Sequence, residues 1–373
     1  MPVVTIEKPA VLRLSPLTID PPLPTHPGLR EAIDDLIART NLSLCMVAAE
    51  SQPRAAGGVD QVFRSYLSSR KPAVRQRYTQ RAQSLLAATE STRSLHFGRY
   101  ATLSRTHYEA AGSDGLRKQV TIPKLDPEAI RTALQKQEFW QDLMAAIRAY
   151  REAEAKKMEA DADAKAGAAF KRMKVFVHHV HCFEDTSEWG ADEIALGGVV
   201  TDPFGNTGVV KEFMVSDDFD KGETAAVDRV FASWTIDTGP GWPHVYAVMI
   251  AMAEKDDGGF WEFLKALWDK VAPEVKELIA TGLGAAIGGV SGGLWGALAG
   301  AVVGAIVGFI INAFDNPDDI LGAKTLVMTL AAATKSYYDW AKLTAAGGWP
   351  FLANYYGDGG HYSLNGYFKV YTQ

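Results

Sequence analysis

Acidic residues gather in stretches that read as turns. They are Glu184, Asp185, Glu188, Asp192 and Glu193 in EDTSEWGADE, then Asp217, Asp218 and Asp220, then Glu254, Asp256 and Asp257 in EKDDGG, and Asp315, Asp318 and Asp319 in DNPDD. Calcium takes about six to eight oxygen ligands from flexible loops, so these clusters have the right chemistry for it. Asp185, Asp192, Glu193, Asp256 and Asp257 are the candidate ligands. The competing explanation is that Asp and Gly are good turn formers, and no loop has the fixed spacing of a helix–loop–helix calcium site.

A second cluster is HHVHC at 178–182. On a regular strand His179 and His181 share one face, with His178, Val180 and Cys182 on the other. Two histidines at that spacing can share a transition metal. With no clear third ligand, such as His244 or His361, histidines in a partly buried strand are the simpler reading. There is no phosphate-binding loop, H-E-x-x-H or C-x-x-C, and Cys45 sits in an apolar helical pattern. The expectation is a protein that is not an enzyme.

The dominant stretch is Leu278–Phe314, 37 residues without a charge. Gly284, Gly288, Gly292, Gly296, Gly300, Gly304 and Gly308 repeat on a period of four, which places them on one helix face. Such a strip lets a second helix approach backbone to backbone. In water each interior glycine costs about 1 kcal/mol against alanine, so seven cost on the order of 7 kcal/mol. Tight packing or a bilayer must offset that. One helix of this length is about 55 Å long, more than a bilayer core of about 30 Å. Ser291-Gly292-Gly293 is a plausible hinge, giving arms Leu278–Val290 and Leu294–Phe314, of which only the second is long enough to span. A hairpin dipping into the membrane fits better than two full spans.

The lead-in, FWEFLKALWDKVAPEVKELI, is amphipathic, and Trp261 and Trp268 stand beside Lys265, Asp269 and Lys270. That mixture suits a bilayer interface, and with Trp295 supplies the aromatic anchors. An ordinary helix packed on the rest of the protein reads equally well. Glu274, Glu277, Asp315, Asp318 and Asp319 flank the stretch, so insertion would be conditional on calcium or low pH.

The rest of the chain must carry these groups. Residues 1–27 hold seven prolines and read as an extended arm: a tail, a docking strap or a loading signal. Residues 28–172 read as mostly helical: a first helix from Gly28, a short one over Val59–Leu67, and a basic one over Lys71–Thr106. Then comes a long helix from Asp126-Pro127 to about Phe170, ending in a charged stalk. From Met173 the texture becomes β. Strands are expected over Lys174–Phe183, Glu193–Thr201, Gly208–Val215, Val230–Ile236, Val245–Ala253, Lys324–Ala331 and Tyr362–Tyr371. The fold class is therefore α+β and multidomain: a helical N-terminal region, then an antiparallel β-sandwich over 173–373 with a glycine-rich helical hairpin inserted at 260–314.

The pattern FEDTSEWGADEIALGG, then WP-x-VYAVMIAMAEKDDGGF, then the glycine-rich insert resembles uncharacterised bacterial β-sandwich proteins, and in broad outline calcium-dependent lipid-binding sandwiches. Leu278–Phe314 resembles the glycine-zipper segments of bacterial membrane and toxin proteins. Membrane lipid is the expected partner, from the glycine stretch and its aromatic lead-in.

Net charge is −6, but residues 51–118 carry twelve Arg or Lys against four Asp or Glu, so the remainder carries −14. A mild overall charge implies no nucleic-acid partner, while a basic block is a weak pointer to an anionic surface. Two cysteines form no disulfide framework, and the first residues lack a secretory signal pattern. The expectation is a protein made in the cytoplasm and exported or injected by dedicated machinery, with a secretion or injection particle as possible partner. Its expected role is a membrane-acting effector or toxin that permeabilises or anchors. The alternative is a structural or adhesive component of a larger particle, a homo-oligomer held by its zipper.

Overall fold

Leu29, Ile33, Leu36 and Leu44 recur at helical spacing, and all four are buried on the first helix, α1 (Pro27–Ala48). The computed structural model describes residues 17–50, 57–119, 126–138, 140–142, 145, 169–186, 192–237, 242, 244–254, 260–278, 292–314, 320–330, 348–357 and 359–372. Pro27 opens α1 where a missing N–H costs nothing, and the His26 ring accepts the Leu29 amide at 3.4 Å. The chain continues through α2 (Gly58–Ser69), α3 (Pro72–Ala87), α4 (Glu90–Phe97), α5 (Arg105–Lys118) and α6 (Pro127–Leu134).

Three expectations shift here. The basic helix over 71–106 is broken, because Thr89 caps α4 through its hydroxyl on the Thr92 amide at 3.3 Å. A further helix, α5, fills the stretch between the expected basic helix and Asp126, where the sequence predicts no element, and Gly112 at φ +63° kinks it. The long helix from Pro127 stops at Leu134. Its Asp126 cap accepts the Glu128 amide at 3.0 Å, but Gln137 then turns to bind the N-terminal arm, giving to Leu23 O and accepting from the Thr25 amide. The charged stalk falls outside the described residues.

The arm itself is a strap in its described part. Strand β1 (Leu17–Ile19) pairs antiparallel with β7 (Ile320–Leu330), and Trp140 Nε1 donates to Pro22 O at 3.2 Å. Proline is tolerated beside such an edge strand.

The other strands are β2 (Arg172–Glu184), β3 (Asp192–Thr201), β4 (Thr207–Phe219), β5 (Thr224–Thr235), β6 (His244–Glu254), β8 (Trp349–Gly357) and β9 (Gly360–Tyr371). They make two antiparallel sheets, ordered β1-β7-β6-β3-β4 and β5-β2-β9-β8. Between β6 and β7 in sequence lie two more helices, α7 (Phe260–Leu278) and α8 (Gly292–Ala313). The protein is thus α+β, with a helical N-terminal region followed by the two sheets.

Burial sorts the elements into layers. Val175, Val177, Val180, Leu364 and Phe368 of the four-stranded sheet share one core with Leu196, Val248, Ile250, Leu326 and Met328 of the five-stranded sheet. Tyr355 crosses it, its hydroxyl donating to Ile250 O at 3.1 Å. The opposite face of the five-stranded sheet, with Ala195, Val199, Met249 and Val327, joins a second core containing α7, α8 and the N-terminal helices. Strand β6 is therefore apolar on both faces, which is why it reads as a continuous run in the sequence.

Candidate functional site, the buried helix pair

Helices α7 and α8 pack on each other; beneath them α8 lies on β6 and β7 and α7 on β3 and β4, and above them α1 and α2 cover the pair. Their apolar residues recur at helical spacing: Phe263, Leu264, Leu267 and Val271 on α7, and Leu298, Val302, Val303, Ile306, Val307 and Ile310 on α8, all buried. The N-terminal helices cover them with aromatic rings. Phe263 meets both Phe63, at 5.7 Å between centroids, and Tyr66. Tyr78 lies 4.8 Å from Phe314, and Phe97 stands edge-on to Phe309 at 6.5 Å.

Ion pairs fasten one end of this contact. Arg39 of α1, 3% exposed, donates through Nη2 to Glu274 of α7 at 2.6 Å. Arg117 of α5 reaches Glu277 at 3.0 Å and Glu274 at 3.6 Å. Around them is a cavity of about 540 Å³ between α1, α2, α5 and α7, lined also by Asp35, Asp114, Lys118 and Lys270. Its cations and anions balance.

The tryptophans point inward. The Trp261 indole lies over Gly197 of β3, so close that a Cβ there would sit 2.6 Å from its ring. Trp268 is 2% exposed. Neither stands at a surface in this conformation. Trp295, Gly292 and Gly296 lie on α8, but their side-chain positions fall outside the described residues, as do Gly284 and Gly288 altogether.

The three remaining glycines differ among themselves. Gly300 is used by the fold: a Cβ there would lie 2.6 Å from Thr325 of β7. At Gly304 and Gly308 an added Cβ would meet nothing within 4 Å among the described residues. Both face a groove of about 420 Å³ bordered by Asp20, Lys324 and Tyr356. Among the described residues no helix is long and apolar enough to cross a membrane.

The acidic candidates are scattered in role. Asp192 is 1% exposed and turned inward, accepting from the Thr186 amide at 2.8 Å, from the Thr186 hydroxyl at 2.7 Å and from the Tyr362 hydroxyl. It ties the start of β3 to β9. Burial first, and then the Asp192 carboxylate, push the Tyr362 phenol well above its usual range. Burial likewise raises the Cys182 thiol to about 11 and Cys45 further still, so neither is a thiolate near neutrality. Glu193 is exposed on β3, and Asp185 precedes Thr186 in the turn after β2. Asp256 and Asp257 lie outside the described residues. Among the described residues no group of three or more His, Cys, Asp or Glu is arranged to hold a metal ion.

Sequence reasoning missed Arg39, Arg117 and the aromatic cover of Tyr66, Tyr78 and Phe97. One signal was present: the basic block of the first half has its natural counterpart in the acids preceding the glycine stretch. Compared with protein-family models, curated proteins and solved structures, the chain matches none.

Proposed function

We propose that this chain is a membrane-acting bacterial effector or toxin that keeps its apolar helix pair covered until a membrane is met. In this reading the two sheets form a β-sandwich, α7 and α8 are its inserted hairpin, and the N-terminal helices are a lid. The reading rests on Gly304 and Gly308. Each costs about 1 kcal/mol against alanine in a helix, and among the described residues the packing has no use for either, since an added Cβ would touch nothing there. A residue that weakens the folded state without serving it fits a second state in which helices meet closely at those positions. A bilayer supplies one, because there small residues govern helix association. Insertion is as a pair dipping into membrane lipid, permeabilising or anchoring, and not as a single span. Calcium, through Asp185, Glu193, Asp256 and Asp257, or low pH is the proposed trigger. Delivery by a secretion or injection particle belongs to the same proposal.

Dye release from anionic liposomes between pH 5 and 7.5, with and without calcium, tests it. A Gly304→Val, Gly308→Val variant retains the soluble fold by near-ultraviolet circular dichroism, yet releases little dye. Equal release by this variant and wild type would end the zipper reading, and no release by wild type under any condition would end the membrane reading. A defined homo-oligomer in lipid-free solution, lost in the same variant, would instead favour the structural or adhesive alternative.

A further inference from the structure

The strand carrying HHVHC is not regular. Between Val177 and His179 the register of β2 shifts against both neighbours, so that Val177 faces Gly366 while His179 faces Asn365, leaving His178 as the extra residue of a bulge. On the other side Val177 faces Arg229 and His179 faces Ala226. The unpaired stretch of β5 contains Asp228, a non-glycine residue at φ +43°, a conformation Asp tolerates better than most. Both strands are thus distorted at the same place. A regular strand would send His178 and His179 to opposite faces; the bulge brings them together. Their Nδ1 atoms are 3.4 Å apart, and Asp228 Oδ1 lies 3.3 Å from His178 Nδ1.

We propose that His178 and His179 form an open, two-imidazole site for a divalent first-row transition ion on the outer face of the four-stranded sheet. The geometry fits one ion. Two nitrogen ligands at about 2.05 Å and a tetrahedral angle are separated by about 3.4 Å. Imidazole favours zinc, nickel and copper, whereas calcium and magnesium want oxygen. Two protein ligands leave the remaining positions to water, which suits an exposed site: the side chains of His178 and Asp228 are 56% and 70% exposed. The Asp228 carboxylate offsets the charge of the ion without needing to bind it. His181, two residues on, is not required, since its Nδ1 is engaged with Thr224 Oγ1 at 2.8 Å. Binding needs both Nδ1 lone pairs, so the proton that one of them carries in the free protein moves to Nε2 by exchange with water. The ion cross-links nothing distant; it holds the bulge in shape and stabilises the folded chain by mass action. This inference does not depend on the proposed function.

Titration of the full chain with zinc chloride by calorimetry tests it, with copper(II) electron paramagnetic resonance as the second readout. One equivalent of zinc binds wild type, calcium gives no heat at this site, and the copper spectrum shows two coordinated nitrogens. His178→Ala and His179→Ala each weaken zinc binding at least about tenfold, while His181→Ala leaves it within about twofold. Zinc raises the thermal midpoint of wild type and not of the His178→Ala, His179→Ala variant. Unchanged binding in that double variant, a loss confined to His181→Ala, or no zinc bound by wild type would each overturn the proposal.

Discussion

Phe263 of α7 stacks on Tyr66 of α2 with ring centroids 4.2 Å apart and planes inclined by 27°. Nearly two hundred positions separate the two in sequence, and their contact is where the N-terminal helices grip the helix pair. Both rings are almost wholly buried. Phe263→Ala removes a ring from a packed site, and a loss of about 3–5 kcal/mol is expected in urea unfolding. Tyr66→Phe keeps the stack and gives up the hydroxyl pair with Tyr78 at 3.2 Å, so it is expected to cost about 1 kcal/mol. Under the proposed function Phe263→Ala also releases liposome contents faster than wild type.

The glycine strip is expected to split by sign. Gly304→Ala and Gly308→Ala each gain about 1 kcal/mol in denaturant unfolding, because helix propensity improves and the new methyl enters open space. Gly300→Ala loses stability instead, since its Cβ would press on Thr325, which is 2% exposed. Overpacking of about 1–3 kcal/mol then outweighs the same gain in propensity. Three residues of one repeat thus give opposite results in one assay.

Arg39 and Glu274 form a pair with both side chains largely out of water, 3% and 13% exposed. Removing one partner strands the other, so Arg39→Ala is expected to cost about 3 kcal/mol, tempered by Arg117 at 3.6 Å from the same carboxylate. The paired change Arg39→Met, Glu274→Leu is expected to cost less than Arg39→Ala alone, because no buried charge is left behind. A double-mutant cycle in urea measures this.

His244 supplies a pH dependence. It is 1% exposed, stacked 3.8 Å from Trp242 with Phe204 edge-on at 5.4 Å, and neither ring nitrogen has a hydrogen-bond partner among the described residues. Burial lowers its pKa from 6.5 to about 4, against the smaller opposing pull of Asp237 and Asp202. The unfolded chain therefore takes up a proton that the folded chain refuses between those two values. This contribution to stability is complete above pH 6.5 and declines as pH falls toward 4, by about 3 kcal/mol in all. His244→Phe is expected to flatten that part of the stability–pH curve, measured as urea midpoints from pH 7.5 to 4.

Much of the architecture is legible from local pattern, and the rest depends on distance. Strands β2, β3 and β6 are readable because alternating or continuous apolar runs end in turn residues. Strand β8 is not, since WPFLANYYG carries proline at its second position and ends in glycine within a glycine-rich tail. The broken helix at Thr89 turns on one hydroxyl that propensity cannot weigh against its neighbours. The pairing of His178 with His179 depends on a bulge, and a bulge is set by both flanking strands at once. Nor can spacing distinguish Gly300 from Gly304: identical positions of a repeat become a tight contact and an open face only when Thr325 is placed beneath one of them.

Ala253 of β6 and Ile320 of β7 face each other across one rung of the same ladder. Everything between them in sequence, α7 and α8 included, leaves the sheet at one point and returns at the point beside it. The excursion is a closed purse whose drawstring is already tied: its two ends stay fixed to each other whatever its contents do. Pulling the helices away from β6 and β7 unthreads no strand and breaks no rung, so the sheets can remain a rigid handle while the helices are elsewhere. The same closure makes the pair dispensable to the ladder, and a chain with residues 255–319 replaced by a short turn is expected to keep the β6–β7 pairing.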